Sequence, residues 1–432
     1  MDAKGQDLTA CACISRGDLA HPHQPLLPPL ARAKMTDPRA KALEIFQEGV
    51  AAADPYARVQ ASLDLVIERP AQIVAIGKAA VRMAEAALEA YPGTPTHVVT
   101  NYENARELTG ATVMAAGHPI PDANGLKAGE AVIKALSDAT GPVLALISGG
   151  GSALLPAPAT GISLDEKAAV NAALLSSGIE IMEMNLVRQQ LSRLKGGGML
   201  RHAAPNMVTA LILSDVIGDE LSAIASGPTV APLGDKTKAK AILDHYGIWK
   251  RMPEAVKAHL LAADEDSALP SHENHLIGSN GQSVEAMRLA GDAQAISTPI
   301  EGDVTDAARQ ICDACEKGTT VWGGETTVVL KGDGRGGRNQ ELALRIALEA
   351  EARGWTDWTC LQGGSDGRDG PTDAAGGLVD SSTLQRIRDA GGNLEALLEN
   401  NDSYQALALA GDLLMTDATG TNVADLGVMI RR

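Results

Sequence analysis

Short runs that are apolar at every position alternate along the chain with segments whose apolar residues recur at helical spacing. Strands are predicted over 72–76, 97–100, 112–115, 142–147 and 208–213, and helices over 79–90 and 123–137. The runs at 142–147 and 208–213 are continuous and apolar on both sides, a pattern that belongs in a parallel sheet covered on both faces. This predicts a Rossmann-like, doubly wound N-terminal domain over 35–240, whose ligands sit at the carboxyl ends of its strands. Residues 241–274 read as a polar, helical crossover. A smaller C-terminal α/β domain is expected over 275–432, with strands at 275–278, 293–297, 319–322, 327–330 and 358–362. Its helices are expected at 282–290, 304–316 and 339–352. No internal repeat is visible, so the domains are different rather than duplicated.

Residues 1–34 stand apart. They carry Cys11, Cys13 and a Pro/His-rich stretch, without the continuous apolar core of a secretory signal. They read as a disordered extension or an over-long start. From Met35 an ordinary helix start follows, with Asp37 as a cap, Pro38 in the first turn and Leu43, Phe46 and Val50 on one face.

Composition narrows the function. The net charge is −17, which argues against a nucleic-acid-binding surface but leaves room for a local cationic pocket. Aromatic residues are only 2%, so platforms for stacking bases are scarce. No apolar run approaches membrane-spanning length, and the five cysteines form no disulfide framework. A cytoplasmic protein with buried, idle thiols is expected.

Polar chemistry gathers where strands end. Gly77-Lys78 follows the first strand and opens a helix, where an ammonium and the helix dipole both favour an anion. Gly149-Gly150-Gly151-Ser152 follows a core strand and leaves backbone N–H groups to surround phosphate oxygens. Leu154 stands where a nucleophile elbow needs glycine. Arg188, Ser192 and Lys195 fall at helical spacing ahead of Gly196-Gly197-Gly198, either an anion-facing stripe or a solvated face. Asp215 ends a strong strand, where it can hold Mg²⁺ or take a hydroxyl proton. Gly332, Gly334 and Gly337 match a dinucleotide fingerprint, but Arg335 and Arg338 in that loop suit a grip on phosphate or carboxylate better. Asp366, Asp369 and Asp373 could hold a cation or make Asx turns, and Glu325 after Gly323-Gly324 shares that reading.

Together these blocks resemble the MOFRL-type glycerate kinases, also named hydroxypyruvate reductases. The matching text includes Ala75-Ile-Gly-Lys-Ala79, Ile147-Ser-Gly-Gly-Gly-Ser-Ala-Leu154, Arg188-Gln-Gln-Leu-Ser192, Leu213-Ser-Asp-Val216, Gly336-Gly-Arg-Asn-Gln-Glu341 and Gly363-Gly-Ser-Asp-Gly367. The resemblance covers about residues 36–430. It implies ATP- and Mg²⁺-dependent phosphorylation of D-glycerate, most often at the 2-hydroxyl, with the 3-phosphate as the alternative product. It also implies a Rossmann-like domain facing a MOFRL domain. Lys78 and Arg338 match the family's catalytic lysine and arginine, with Asp215 as metal ligand or orienting group and Asp366 as a second metal candidate. Gly149, Gly150, Gly151, Ser152, Lys195, Gly196 and Gly197 would hold the nucleotide, and Arg188, Ser192, Glu325 and Asn339 the substrate. The partners are then small molecules, with no nucleic acid and no membrane, and a homodimer is compatible with this reading. The competing reading is an NAD(P)H-dependent reductase of hydroxypyruvate, for which His118 is the nearest candidate acid.

Overall fold

The computed structural model describes residues 37–263 and 268–432. The extension expected at 1–34 lies outside the described residues. Residues 37–432 form one compact unit.

Six strands build the first sheet: β1 (Gln72–Ile76), β2 (Thr96–Asn101), β3 (Ala111–Ala116), β4 (Val143–Ile147), β5 (Val208–Leu213) and β6 (His272–Gly278). They run parallel in the order β3-β2-β1-β4-β5-β6. This is the doubly wound order, and its direction of winding reverses between β1 and β4. Every residue of β1, β4 and β5 is buried, because helices cover both faces. Ala80, Ala84 and Ala87 of the Ala80–Ala90 helix lie fully in one of these layers, their small side chains letting the helix lie close on the sheet. The loops after β1, β4 and β5 therefore emerge side by side at the crevice.

The second sheet comprises β7 (Gln294–Ala295), β8 (Ile300–Asp303), β9 (Gly318–Thr327), β10 (Trp358–Gly364), β11 (Gly376–Asp380), β12 (Leu413–Leu414) and β13 (Asp425–Arg431). Its order is β12-β11-β10-β13-β9-β7, with β8 also on β9. The run from β9 through β13, β10 and β11 to β12 is antiparallel, and only β7 and β8 run parallel to β9. The strand expected at 327–330 is the end of β9 followed by a loop that leaves Val329 and Leu330 exposed.

Three placements differ from the sequence reading. The strand expected at 275–278 begins at His272 and pairs with β5, so it closes the first sheet instead of opening the second region. Its half-exposed His272, Glu273, Asn274 and His275 are polar because it is an edge strand. The Pro38–Ala51 helix, expected to start the N-terminal domain, packs on the second sheet: Ala42, Ile45 and Phe46 share a core with Met287, Leu361, Leu426 and Val428. Finally, helices Leu164–Leu175 and Ile181–Gln190, from between β4 and β5, join Lys236–His245 and Glu254–Leu261, from between β5 and β6, in a cluster with its own apolar core. Arg188, Ser192 and Lys195 are thus not one helical face, since the helix stops at Gln190.

The thiols of Cys312 and Cys315 are buried, and burial pushes them up to about 12 and about 11. Such thiols stay protonated and unreactive. No helix among the described residues is long and apolar enough to cross a membrane.

Candidate active site

Two loops at the crevice are stitched together. Gly77 turns the chain out of β1 at φ +115°, where a side chain would collide with Ser148. The Lys78 N–H then donates to the Gly149 carbonyl at 2.9 Å, and Ser148 Oγ accepts from the Ala79 N–H at 3.1 Å. Lys78 is thereby fixed at the entrance of its helix, half-buried, beside Gly150 and the His118 ring.

Asp215 leaves the end of β5 and lies flat against Gly149, so closely that any Cβ there would strike its carboxylate. Its pKa is pushed up to about 6, first by burial and further by the Glu325 charge, while Lys78 opposes the shift. The carboxylate of the first sheet therefore lies within electrostatic reach of Lys78 on its own side and of Glu325 from the second sheet.

Glu325, near the end of β9, pairs with Arg338 Nη1 at 2.8 Å. Arg338 opens the Arg338–Ala352 helix, with Nε 2.6 Å from Asp425 Oδ2 and Nη2 3.1 Å from Asp425 Oδ1. Burial alone would lower the guanidinium pKa, but the bonds to Asp425 and the charges of Glu325 and Asp369 raise it, so the cation is permanent. Beneath it Asn339, 1% exposed, donates to Asp425 at 2.9 Å and accepts from Gln362 at 2.7 Å. Asp369 accepts the backbone N–H groups of Asn339 and Gln340, capping that helix.

A second cluster lies behind the β4 loop. Lys195, only 6% exposed, donates to Ser152 Oγ at 2.6 Å, and Ser152 Oγ lies 3.0 Å from Ser226 Oγ. Burial and the neighbouring Arg188 bring the Lys195 ammonium down to about 7. Arg188 donates to Asn171 Oδ1, and Lys167 to the carbonyls of Pro156 and Leu191. These groups line a cavity of about 420 Å³ that also reaches His118 and Gly150.

The structure thus brings Lys78, Gly149, Asp215, Glu325 and Arg338 to one crevice, and Gly150, Ser152, Lys195 and Arg188 to the adjoining cavity. It does not bring Arg188 to Arg338. Asn339 is spent on the network under Arg338. Ser192 Oγ bonds Ala157 O and the N–H groups of Leu194 and Lys195. Gly196 and Gly197 donate their N–H groups to Ser226 and Gly227. Asp366 accepts from Arg368 N in its own loop. In the Gly332–Gly337 loop the N–H groups of Gly332, Asp333, Gly334 and Arg335 are taken by Asn400, Asn401 and Asp402, so these four are not free to cradle a dinucleotide. Sequence reasoning did not single out Asp425 or Lys167, neither of which adjoins a glycine-rich strand end, and it named His118 only for the competing reading. Among the described residues no group of three or more His, Cys, Asp or Glu side chains is arranged to hold a metal.

Residues 41–261 match the family described as "Domain of unknown function (DUF4147)", and residues 318–425 match the MOFRL family. A D-glycerate 2-kinase of Thermotoga maritima is 40% identical, over 89% of this chain and 96% of its own. The chain belongs to the MOFRL-type glycerate kinase family. The crystal structure of a glycerate kinase from Thermotoga maritima superposes on this member of the family with a TM-score of 0.84. It shares 38% identity and covers 91% of this chain and 99% of its own. A putative hydroxypyruvate reductase of Agrobacterium vitis is also similar, at 39% identity over 89% of this chain and 93% of its own.

Proposed function

We propose that the protein transfers the γ-phosphoryl group of ATP to D-glycerate, giving 2-phosphoglycerate. The observation that carries this reading is the alignment of fixed charges across the crevice: Lys78 and Asp215 on one wall, Glu325 and Arg338 on the other. Phosphoryl transfer asks for positioning and for positive charge where the transferring group moves, and little covalent help. Lys78 stands where it would neutralise that group. Arg338, held by Asp425, would bind the glycerate carboxylate or stabilise the transition state, with Glu325 released from it or turned to a glycerate hydroxyl. Gly149–Ser152 and Lys195 would hold nucleotide phosphates.

Magnesium carried in with the nucleotide would offset charge on the phosphates, and Asp215 at the crevice would be its carboxylate ligand. One carboxylate suits an ion that keeps most of its ligands from phosphate and water. A base near pH 6 at the same carboxylate would also orient the attacking hydroxyl. Closing the crevice would exclude water that otherwise competes for the phosphoryl group.

The reductase reading needs an acid beside the carbonyl, and His118 lies beside Lys78, but burial and the Lys78 charge lower its pKa and favour the neutral ring. One experiment separates the two. Purified protein with D-glycerate and Mg-ATP should release ADP, and phosphorus NMR should show the 2-phosphate ester. Oxidation of NADH by hydroxypyruvate with no ADP release would overturn the kinase reading.

A further inference from the structure

The 420 Å³ cavity is two-ended. At one end stand Lys167, Arg188 and Lys195, whose bonds go only to carbonyl, amide and hydroxyl oxygens; among the described residues none of them meets a carboxylate. Desolvated cations without a counter-ion depress one another's charge: Lys167 is driven down by burial, then by Lys195 and Arg188. An anion bound there would recover that cost. The other end is aliphatic. Ile120 (79% exposed) and Leu175 (61% exposed) leave large apolar surface in water at its mouth, with Leu164 and Leu174 further in. The polar side chains of the lining are His118, Ser152, Lys167, Asn171, Arg188 and Lys195, and Arg188 already occupies Asn171. The inner end is Gly150, which faces the Lys78 side chain, so a chain of phosphates on the cations points to the crevice. The volume lies in the range of sites for drug-sized ligands, far beyond the needs of a three-carbon acid.

We propose that this cavity is the phosphoryl-donor pocket, in which Lys167 joins Arg188 and Lys195 on the polyphosphate while Ile120 and Leu175 clamp the base without reading its edge. The enzyme then discriminates only weakly among purine nucleoside triphosphates. This deepens the kinase reading and rests on it. An apolar slot discriminates weakly between ligands of one shape, by roughly 10–200-fold, whereas a site built to hydrogen-bond an edge discriminates by roughly 10⁴–10⁵.

The test measures kcat and KM for ATP, GTP and ITP at saturating D-glycerate, in the wild type and in Ile120→Asp, Leu175→Asp and Lys167→Gln. The two apolar positions are exposed, so folding should survive. Donor preference should stay below about a thousandfold, and each variant should raise the KM for donor by about tenfold or more with the KM for D-glycerate unchanged. A preference above that limit, or a rise in the KM for D-glycerate instead, overturns the pocket assignment. Calorimetric titration with ADP and GDP separates this from failure of the kinase reading. If the wild type forms no phosphoglycerate, the kinase reading falls, and the pocket stands only if both diphosphates bind and Lys167→Gln weakens both.

Discussion

Arg338 gives two guanidinium nitrogens to one carboxylate, Asp425, at 2.6 and 3.1 Å, and the third to Glu325 at 2.8 Å. The forked pair fixes the plane of the cation, and among the described residues Arg338 and Asn339 are the side chains that donate to the Asp425 carboxylate, which is 3% exposed. The arginine is therefore a preset fixture of the crevice, offered at one face.

Removing the buried partner should loosen both stability and chemistry. Asp425→Ala is expected to cost about 1–3 kcal/mol, since it leaves Arg338 with Glu325 alone and takes the acceptor from a buried Asn339 amide. Urea denaturation measures the loss, and turnover should fall with it. Unchanged stability would mean that the pair does not hold the helix start.

Asp215 sets a pH dependence. Its pKa is raised to about 6, so the ionised form needed to hold metal or accept a proton is lost as pH falls through 6. An acid limb near 6 is expected in kcat/KM. Because Lys78 pulls this pKa down, Lys78→Met should move the limb to higher pH. For stability the sign is opposite: between about 4 and 6 the folded state binds more protons than the unfolded one, so this group's contribution declines as pH rises. Asp215→Asn should accordingly raise Tm at pH 7 by about 2–4 °C while abolishing activity. A drop in Tm would contradict the burial assigned to this carboxylate.

The N-terminal helix belongs to the second lobe. Phe46 is fully buried there against Gly363 and its neighbours. Phe46→Ala is expected to cost about 3–5 kcal/mol. Hydrogen exchange should show the loss in β10 and β13 and leave β1 and β4 protected. Uniform deprotection of both sheets would contradict this placement.

The parts legible in the sequence were those whose signal is local. β1, β4 and β5 are buried on both faces, so their runs are continuous, and the glycines just past β1 and β4 mark the crevice directly. Lys78, Gly149 and Asp215 sit at those strand ends, and Arg338 follows Gly337 at a helix start. Asp425 carries no local signal: it follows a loop, starts the last strand, and gains its role only when β13 pairs between β9 and β10. Lys167 lies on a helix whose apolar residues face the helical cluster rather than either sheet, so nothing nearby in sequence points to the cavity. β6 was misplaced because an edge strand tolerates polar residues. The first helix was misplaced because amphipathic spacing shows that a face is buried but not which sheet buries it.

On the proposed function, Lys78 and Arg338 act from opposite walls on one transferring phosphoryl group. The direct test is a double-mutant cycle on kcat with D-glycerate and Mg-ATP. Lys78→Ala and Arg338→Ala should each slow turnover by about a hundredfold or more, and the double variant should be much faster than the product of the two losses allows. Near-normal turnover in either single variant, or strictly additive losses, would contradict a shared site.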